Sequence, residues 1–322
     1  MAHPRLIFGA MTVGSSFATV EEVTSLLQVL KNLGIKYIDT APVYPIQSTG
    51  ACEPLLGRAD VQGKGFTIDT KVDVTGPIKG SLREAAIDAS LKKSLRCLGV
   101  PKLDVYYAHF PDPETPAEET AAAFDKHYRS GAFSKLGLSN YSTKQVQEYL
   151  GVCEKGGYVK PTLYQGAYNV ITRLAEENLF PLLRKHGMSF AAFSPLAGGF
   201  LTGHVSLKAD LKGTRYEETN KFGNNFRAIY DKPKLHDAIR ELHSVCQSNS
   251  VTLAEVSLRW LVYHSKLRKE DAVILGASKI SQIESNIKDI RQGPLSEQLL
   301  KAVEELAAVS LEMMRGSPYG PD

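Results

Sequence analysis

The chain has 322 residues, 43% hydrophobic and 23% charged, an ordinary globular composition that excludes disordered and collagen-like classes. The 38 Lys and Arg against 35 Asp and Glu leave a net charge of +3 without any long block of like charge, so nothing points to a nucleic-acid or membrane-surface partner. Cys52, Cys97, Cys153 and Cys246 stand far apart with no Cys-x-x-Cys pair, and neither a signal peptide nor a membrane span is legible, which together predict a cytoplasmic protein.

Short apolar runs alternate with amphipathic stretches along the chain. Leu6-Ile7-Phe8 reads as the first strand, and a helix follows over 20–32 with Leu26, Leu27 and Leu30 on one face and Gly34 as its stop. Residues 36–39 and 66–71 read as the second and third strands. The next helix, over 81–97, carries the capping-box pattern Ser81-Leu82-Arg83-Glu84 at its start. Strand four covers 103–108 with a helix over 117–129; strand five covers 135–139, and Ser142 to Gln145 opens its helix. Strand six is 163–165 with a helix near 175–185, and strand seven is 188–193. Some 80 residues then pass before strand eight at 272–275, with helices near 235–246 and 253–263 between.

Candidate strand ends at 39, 71, 109, 139, 165 and 193 lie 26 to 38 residues apart. One strand–helix–strand step takes roughly 30 residues, so the rhythm is that of parallel strands joined by crossovers. Eight such steps predict an α/β fold, a (β/α)8 TIM barrel, better than an open doubly wound sheet. The barrel is expected to form a single domain over residues 1–322, with a long lid or binding loop over 194–233 after strand seven. The tail 315–322, with two Gly and two Pro, is expected to be irregular.

Barrels place their chemistry at the carboxyl ends of the strands. Reading those positions alone gives Asp39, Tyr44, Lys71, His109, Ser139, Asn140, Gln165 and Ser194. A phenol has an unperturbed pKa of ~10; a lysine ammonium beside it stabilises the phenolate, and a carboxylate behind the lysine keeps that charge in place. With a histidine to orient an oxygen, such a set can polarise a carbonyl and protonate the developing alkoxide while a hydride arrives at carbon. None of these side chains donates hydride, so a nicotinamide cofactor is required. Each residue alone has a plainer reading: Asp39 as a turn cap, Lys71 as a rim residue, His109 as a structural imidazole, Tyr44 as packing. Their convergence is what points to a site.

Other chemistries lack their motifs. The chain has no Gly-x-Ser-x-Gly, His-Glu-x-x-His or phosphate-loop pattern and no Gly-x-Gly-x-x-Gly after a strand, and His236 and His243 suit an exposed helix face better than a metal. A nucleotide therefore needs a non-Rossmann grip. The glycine-rich segment from Phe193 to Gly203 offers backbone amides for a pyrophosphate, and Gly276-Ala277-Ser278-Lys279 leads into a helix carrying Gln282 and Asn286, a common phosphate position after strand eight.

The residues also carry a family resemblance. The run from Tyr37 to Tyr44, the strand ending at Lys71, His109-Phe110-Pro111-Asp112, Gly137 to Tyr141, Pro161 to Asn169 and Ser194 to Gly199 resemble, in order, an aldo-keto reductase. Within that superfamily the chain is most similar to the aflatoxin aldehyde and succinic semialdehyde reductases. The resemblance implies NADPH-dependent reduction of aldehydes, with dialdehydes and some ketones, as small-molecule substrates. It implies Tyr44 as general acid, Lys71 as modulator of its pKa, Asp39 as the partner of Lys71 and His109 as the carbonyl-orienting group. Ser139, Asn140 and Gln165 would hold the nicotinamide carboxamide, and Phe193 would stack on its ring. Ser194, Leu196 and Gly198 would line the pyrophosphate loop, with Ser278, Gln282 and Asn286 at the adenosine end. Met11 and Arg227 match substrate-pocket positions.

The chain departs from the pattern in three places: Phe193 replaces a tyrosine or tryptophan, Gln282 stands where relatives have an arginine, and the tail lacks the subgroup's terminal arginine. The alternative readings are a specialised pyridoxal or secondary-metabolite carbonyl reductase, or a slow-turnover binding protein like an NADPH-sensing channel β-subunit, and the resemblance allows a monomer or a homodimer.

Overall fold

The computed structural model describes residues 3–207 and 210–315. Eight parallel strands pair in chain order and close on themselves. They are β1 (Arg5–Gly9), β2 (Tyr37–Asp39), β3 (Thr67–Lys71), β4 (Leu103–Ala108), β5 (Phe133–Ser139), β6 (Leu163–Ala167), β7 (Ser189–Phe193) and β8 (Ala272–Leu275). Closure runs through β1 and β8, in register from Arg5 opposite Ala272 to Phe8 opposite Leu275. The helices of the crossovers are α1 (Val20–Leu33), α2 (Cys52–Arg58), α3 (Glu84–Leu98), α4 (Ala117–Arg129), α5 (Thr143–Gly156) and α6 (Leu179–Lys185). After β7 come α7 (Gly223–Tyr230), α8 (Pro233–Ser248) and α9 (Leu253–Tyr263), and after β8 come α10 (Ile280–Ile290) and α11 (Glu297–Met314). The expected (β/α)8 barrel is the architecture found.

Strand side chains alternate between two cores. Outward residues such as Ile38, Ile68, Tyr106, Leu138, Tyr164 and Val273 join the helices in one large cluster. Inward residues Ile7, Val105, Tyr107, Leu163, Ala191, Ala272 and Ile274 fill the barrel itself. Each fully buried apolar side chain contributes roughly 1.5–3 kcal/mol, so the outer layer carries most of the stability. At the amino end of the barrel, Asp271 is wholly buried and takes two bonds from Arg184, at 2.8 and 2.5 Å, plus the amides of Phe190 and Arg268. That end is built for fastening, which leaves the opposite end free for loops.

Local signals held where both partners were local. Thr19 with Glu22, and Ser142 with Gln145, form reciprocal capping boxes at the starts of α1 and α5. The pattern at Ser81 does not. Helix α3 begins at Glu84, the Glu84 amide donates instead to Glu119 Oε1 at 3.3 Å, and the buried Ser81 hydroxyl has no partner. A carboxylate thirty-five residues away in the sequence displaces the local cap. The helix expected over 175–185 is also shorter, a 3₁₀ turn at Leu174–Glu176 followed by α6. Pro181 explains the restart, since a proline is tolerated only where its missing N–H is needed by no one, in the first turn. The 194–233 stretch is not a plain loop: it contains a 3₁₀ segment, Ala197–Thr202, and α7. Of the expected irregular tail, residues 316–322 lie outside the described residues.

Candidate active site

Parity along the strands decides which side chains meet above the inner core. On β3, Thr70 points outward and its hydroxyl donates to Glu53 of α2 at 2.6 Å, so Lys71 points inward. On β2 the same alternation sends Ile38 to the outer cluster and Asp39 inward. The two inward residues meet: Lys71 Nζ donates to both Asp39 oxygens, at 2.7 and 2.8 Å, and to the Thr40 carbonyl at 2.9 Å. Lys71 is 1% exposed. Gln165, inward on β6, donates its amide N–H to Asp39 Oδ1 at 2.7 Å. A buried ion pair is tolerable only when the remaining polar groups are satisfied, and here four donated bonds do that. Burial works to lower the Lys71 pKa, but the facing carboxylate of Asp39 and the nearby phenol outweigh it, and the ammonium is held above its usual value.

Tyr44 lies five residues past β2 in a loop pinned by its own backbone, its N–H to Ala41 O at 3.0 Å and its carbonyl accepting from Cys52 N at 3.1 Å. Lys71 Nζ sits 5.2 Å from the centre of the Tyr44 ring. Burial dominates this phenol's acidity and raises its pKa; the Lys71 charge draws it down and Asp39 pushes it back up. The expected lowering by lysine is therefore present but outweighed. His109, one residue past β4, is buried, with its imidazole edge-on to the Tyr44 ring at 6.3 Å and its Nδ1 without a hydrogen-bond partner. Burial first, and then the charge of Lys71, hold the His109 pKa well below its ordinary value, so the ring is neutral at pH 7.

Beside this cluster stand the residues expected to hold a nicotinamide. Ser139 and Gln165 are in direct register on β5 and β6. Asn140 donates its side-chain N–H groups to the His109 carbonyl and to Ser139 Oγ, both at 3.0 Å, and adopts φ +62°. With the amide nitrogens of Asn140 and Gln165 spent inside the protein, their amide oxygens are left to accept from a ligand. Phe193 ends β7 at the edge of the inner core. Ser194 and Ala197 have φ +54° and +51°, left-handed values that non-glycine residues rarely adopt and that cluster at functional sites. Asn169 holds this strained start by donating to the Ser194 carbonyl at 3.0 Å while its oxygen takes the amides of Ile171 and Thr172. Gly198 (φ +67°) is obligatory for a second reason: a Cβ there would stand 2.4 Å from the Phe226 ring of α7. Leu196 caps the segment, its carbonyl accepting from Gly199 and Leu201.

The adenosine-end residues lie apart, on the loop after β8 and on α10. Gln282 Oε1 accepts from the Ser278 amide at 2.8 Å, the Ser278 hydroxyl at 3.1 Å and the Lys279 amide at 3.2 Å, so an uncharged oxygen occupies the helix start. Asn286 is half-buried one turn on. Met11 is half-buried in the 3₁₀ turn after β1. Arg227, which the resemblance matches to a substrate-pocket position, bonds the preceding loop. Its guanidinium donates to the carbonyls of Arg215, Glu217, Glu218 and Asn220 and to the Asn224 side chain. His236 bridges Ser206 Oγ at 2.9 Å and Asp231 at 2.7 Å, with no metal-binding group of His, Cys, Asp and Glu among the described residues.

Sequence reading passed over Asn169 as a support, and also Tyr107 and Asp69 beneath the site. Tyr107 is fully buried, and Lys71 Nζ lies 5.6 Å from its ring centre. Strand parity alone marks both as inward.

The family model described as Aldo/keto reductase family matches residues 5–308. The chain belongs to the aldo/keto reductase family. An aldo-keto reductase of Pseudocercospora fijiensis is 36% identical over 91% of this chain and 99% of its own length. The human aldo-keto reductase family 7 member A3 is 36% identical over 94% of this chain and 93% of its own. The mouse aflatoxin B1 aldehyde reductase member 2 is 34% identical over 94% of this chain and 84% of its own. As an aldo-keto reductase the protein is an oxidoreductase that works on small-molecule carbonyls with a nicotinamide cofactor. No helix among the described residues is long and apolar enough to cross a membrane.

Proposed function

We propose that the protein reduces aldehydes to alcohols with NADPH, and that Tyr44 supplies the proton. The observation that carries this reading is the buried Asp39–Lys71 pair set 5.2 Å from the Tyr44 ring, with a neutral His109 on the ring's edge. The residues present fit the cofactor: two unspent amide oxygens and the Ser139 hydroxyl complement a carboxamide, and left-handed residues at 194 and 197–199 turn amides toward a pyrophosphate. When bound, the cofactor supplies a hydride to the carbonyl carbon.

Everything else is the work of the chain. A phenol whose pKa is raised stays protonated at neutral pH and so has a proton to give. His109, uncharged, orients the carbonyl oxygen toward Tyr44 without competing as an acid. As the oxygen gains charge, Tyr44 passes its proton to it, and Lys71 stabilises the phenolate left behind. Asp39 and Gln165 keep Lys71 charged and in place. Ser278, Lys279 and Asn286 serve the adenosine phosphate, with Gln282 yielding its bonds there. The test is Tyr44→Phe: general acid catalysis contributes about 10²–10⁴-fold, so turnover falls by that order while NADPH titration gives near-normal binding. Near-normal aldehyde reduction by the variant would remove Tyr44 from its role.

A further inference from the structure

The proposed proton-transfer pair comes from two separate pieces of chain, Tyr44 from the loop after β2 and Lys71 from the end of β3. Both are tethered to the first turn of α2. Cys52 donates its N–H to the Tyr44 carbonyl at 3.1 Å. Its thiol donates to the Ala10 carbonyl at 3.2 Å and meets the Thr40 hydroxyl at 3.1 Å. Thr40 in turn offers its carbonyl to Lys71 Nζ. The next residue, Glu53, accepts from the Thr70 hydroxyl at 2.6 Å, one position before Lys71.

Thr40, Cys52, Glu53 and Thr70 are at most 3% exposed, so a bond lost here is not readily replaced by water. Consecutive Cα atoms lie ~3.8 Å apart, so the tether to Tyr44 and the tether to β3 leave from one short, stiff piece of helix. That piece is backed by α3: a Cβ on Gly57 would stand 2.1 Å from the Cys97 carbonyl oxygen. Thr70 points to the helix side of the barrel wall and Lys71 to the inside. The Glu53 carboxyl therefore bears on the site only through the strand.

We propose that Glu53 is a positioning residue for proton transfer: by holding Thr70 on the same helical turn that holds Tyr44, it sets the Lys71 ammonium against the phenol. This rests on the reductase reading above. The experiment follows NADPH oxidation by the full chain on a panel of aliphatic and aromatic aldehydes, with NADPH titration to count folded sites and give Kd. A misplacement of about 1 Å can cost about 10²-fold, so Glu53→Leu is expected to lower kcat by about 10- to 100-fold. The NADPH Kd and the aldehyde KM stay near those of the parent, because Glu53 touches neither ligand. The solvent deuterium isotope effect on kcat rises, as proton transfer becomes the slower event. Glu53→Gln keeps an oxygen for the Thr70 hydroxyl and recovers most of the rate. Thr70→Val, which keeps the side-chain shape and removes the hydroxyl, carries the same expectation with Thr70→Ser as its rescue, and it decides the matter if Glu53→Leu does not fold. A folded Glu53→Leu with parental kcat overturns the inference. So does a glutamine variant no better than the leucine one, or a loss of rate matched by weaker NADPH binding with an unchanged isotope effect; each leaves the reductase reading standing. Absence of turnover by the parent on every aldehyde despite NADPH binding overturns both.

Discussion

Replacing Lys71 with methionine tests the centre of the site through stability, independently of any substrate. The ammonium is 1% exposed and makes three bonds of 2.7–2.9 Å, two of them to Asp39. Lys71→Met leaves Asp39 buried with only Gln165 as a side-chain donor. Removing one partner of a buried pair costs about 3–5 kcal/mol, because the other charge is left stranded. With an unfolding entropy of about 2.1 cal/mol/K per residue over 322 residues, that is a fall in Tm of about 4–7 °C. The stranded carboxyl can escape by taking a proton, so the deficit is larger at pH 7 than at pH 5. In Asp39→Leu/Lys71→Met neither charge remains. The residual cost is then the lost acceptor of Gln165, about 1–3 kcal/mol, so the double variant melts above the single one. Differential scanning fluorimetry at the two pH values reads all of this. A single variant within about 1 °C of the parent, or a double variant less stable than the single, would refute the buried pair as described.

Two further outcomes follow from the same region. Gly137→Ala would put a Cβ 2.2 Å from Cδ1 of the fully buried Tyr107, and overpacking of that kind costs about 1–3 kcal/mol; Tyr107→Leu in the same chain should restore part of the lost Tm. His109 has a folded pKa well below the ~6.5 of an unfolded histidine, so the unfolded state binds more protons in acid. Its contribution is complete above ~6.5 and is lost as the pH falls below that toward the folded value. Tm should therefore drop between about pH 6.5 and 5, and His109→Gln should flatten that slope without abolishing it, since burial also depresses His127 and His264. A slope identical in parent and variant would contradict a buried neutral imidazole.

Much of the architecture was readable because its cause is periodic. Inward and outward parity on β2 and β3 is written in Ile38-Asp39 and Ile68-Asp69-Thr70-Lys71, and spacing alone put Asp39, Lys71, His109 and Gln165 at one end of one barrel. The failures are of a different kind. Ser81 looks like a cap, but the Glu84 amide is claimed by Glu119, a competition between residues thirty-five positions apart that no local window contains. Helix α2 was missed because seven residues holding Pro54 and Gly57 show no helical period. The bonds that Arg227 makes are decided by the path of residues 215–220, whose carbonyls turn toward it, and no motif gives that path. Gln282, a cofactor position by resemblance, also bonds its own helix start, a pairing that the sequence does not announce. Position was legible; which partner a polar group finally takes was not.

Beneath Lys71 the barrel is plugged by Tyr107, Leu163, Ile7 and Ile274, and the far end is stapled shut by Asp271 and Arg184. Among the described residues that packing closes the barrel from below. Whatever visits the ammonium or the phenol, solute or hydron, must use the same doorway, so under the proposed reaction departure of a finished molecule and recharging of Tyr44 would share one threshold and become successive events at it.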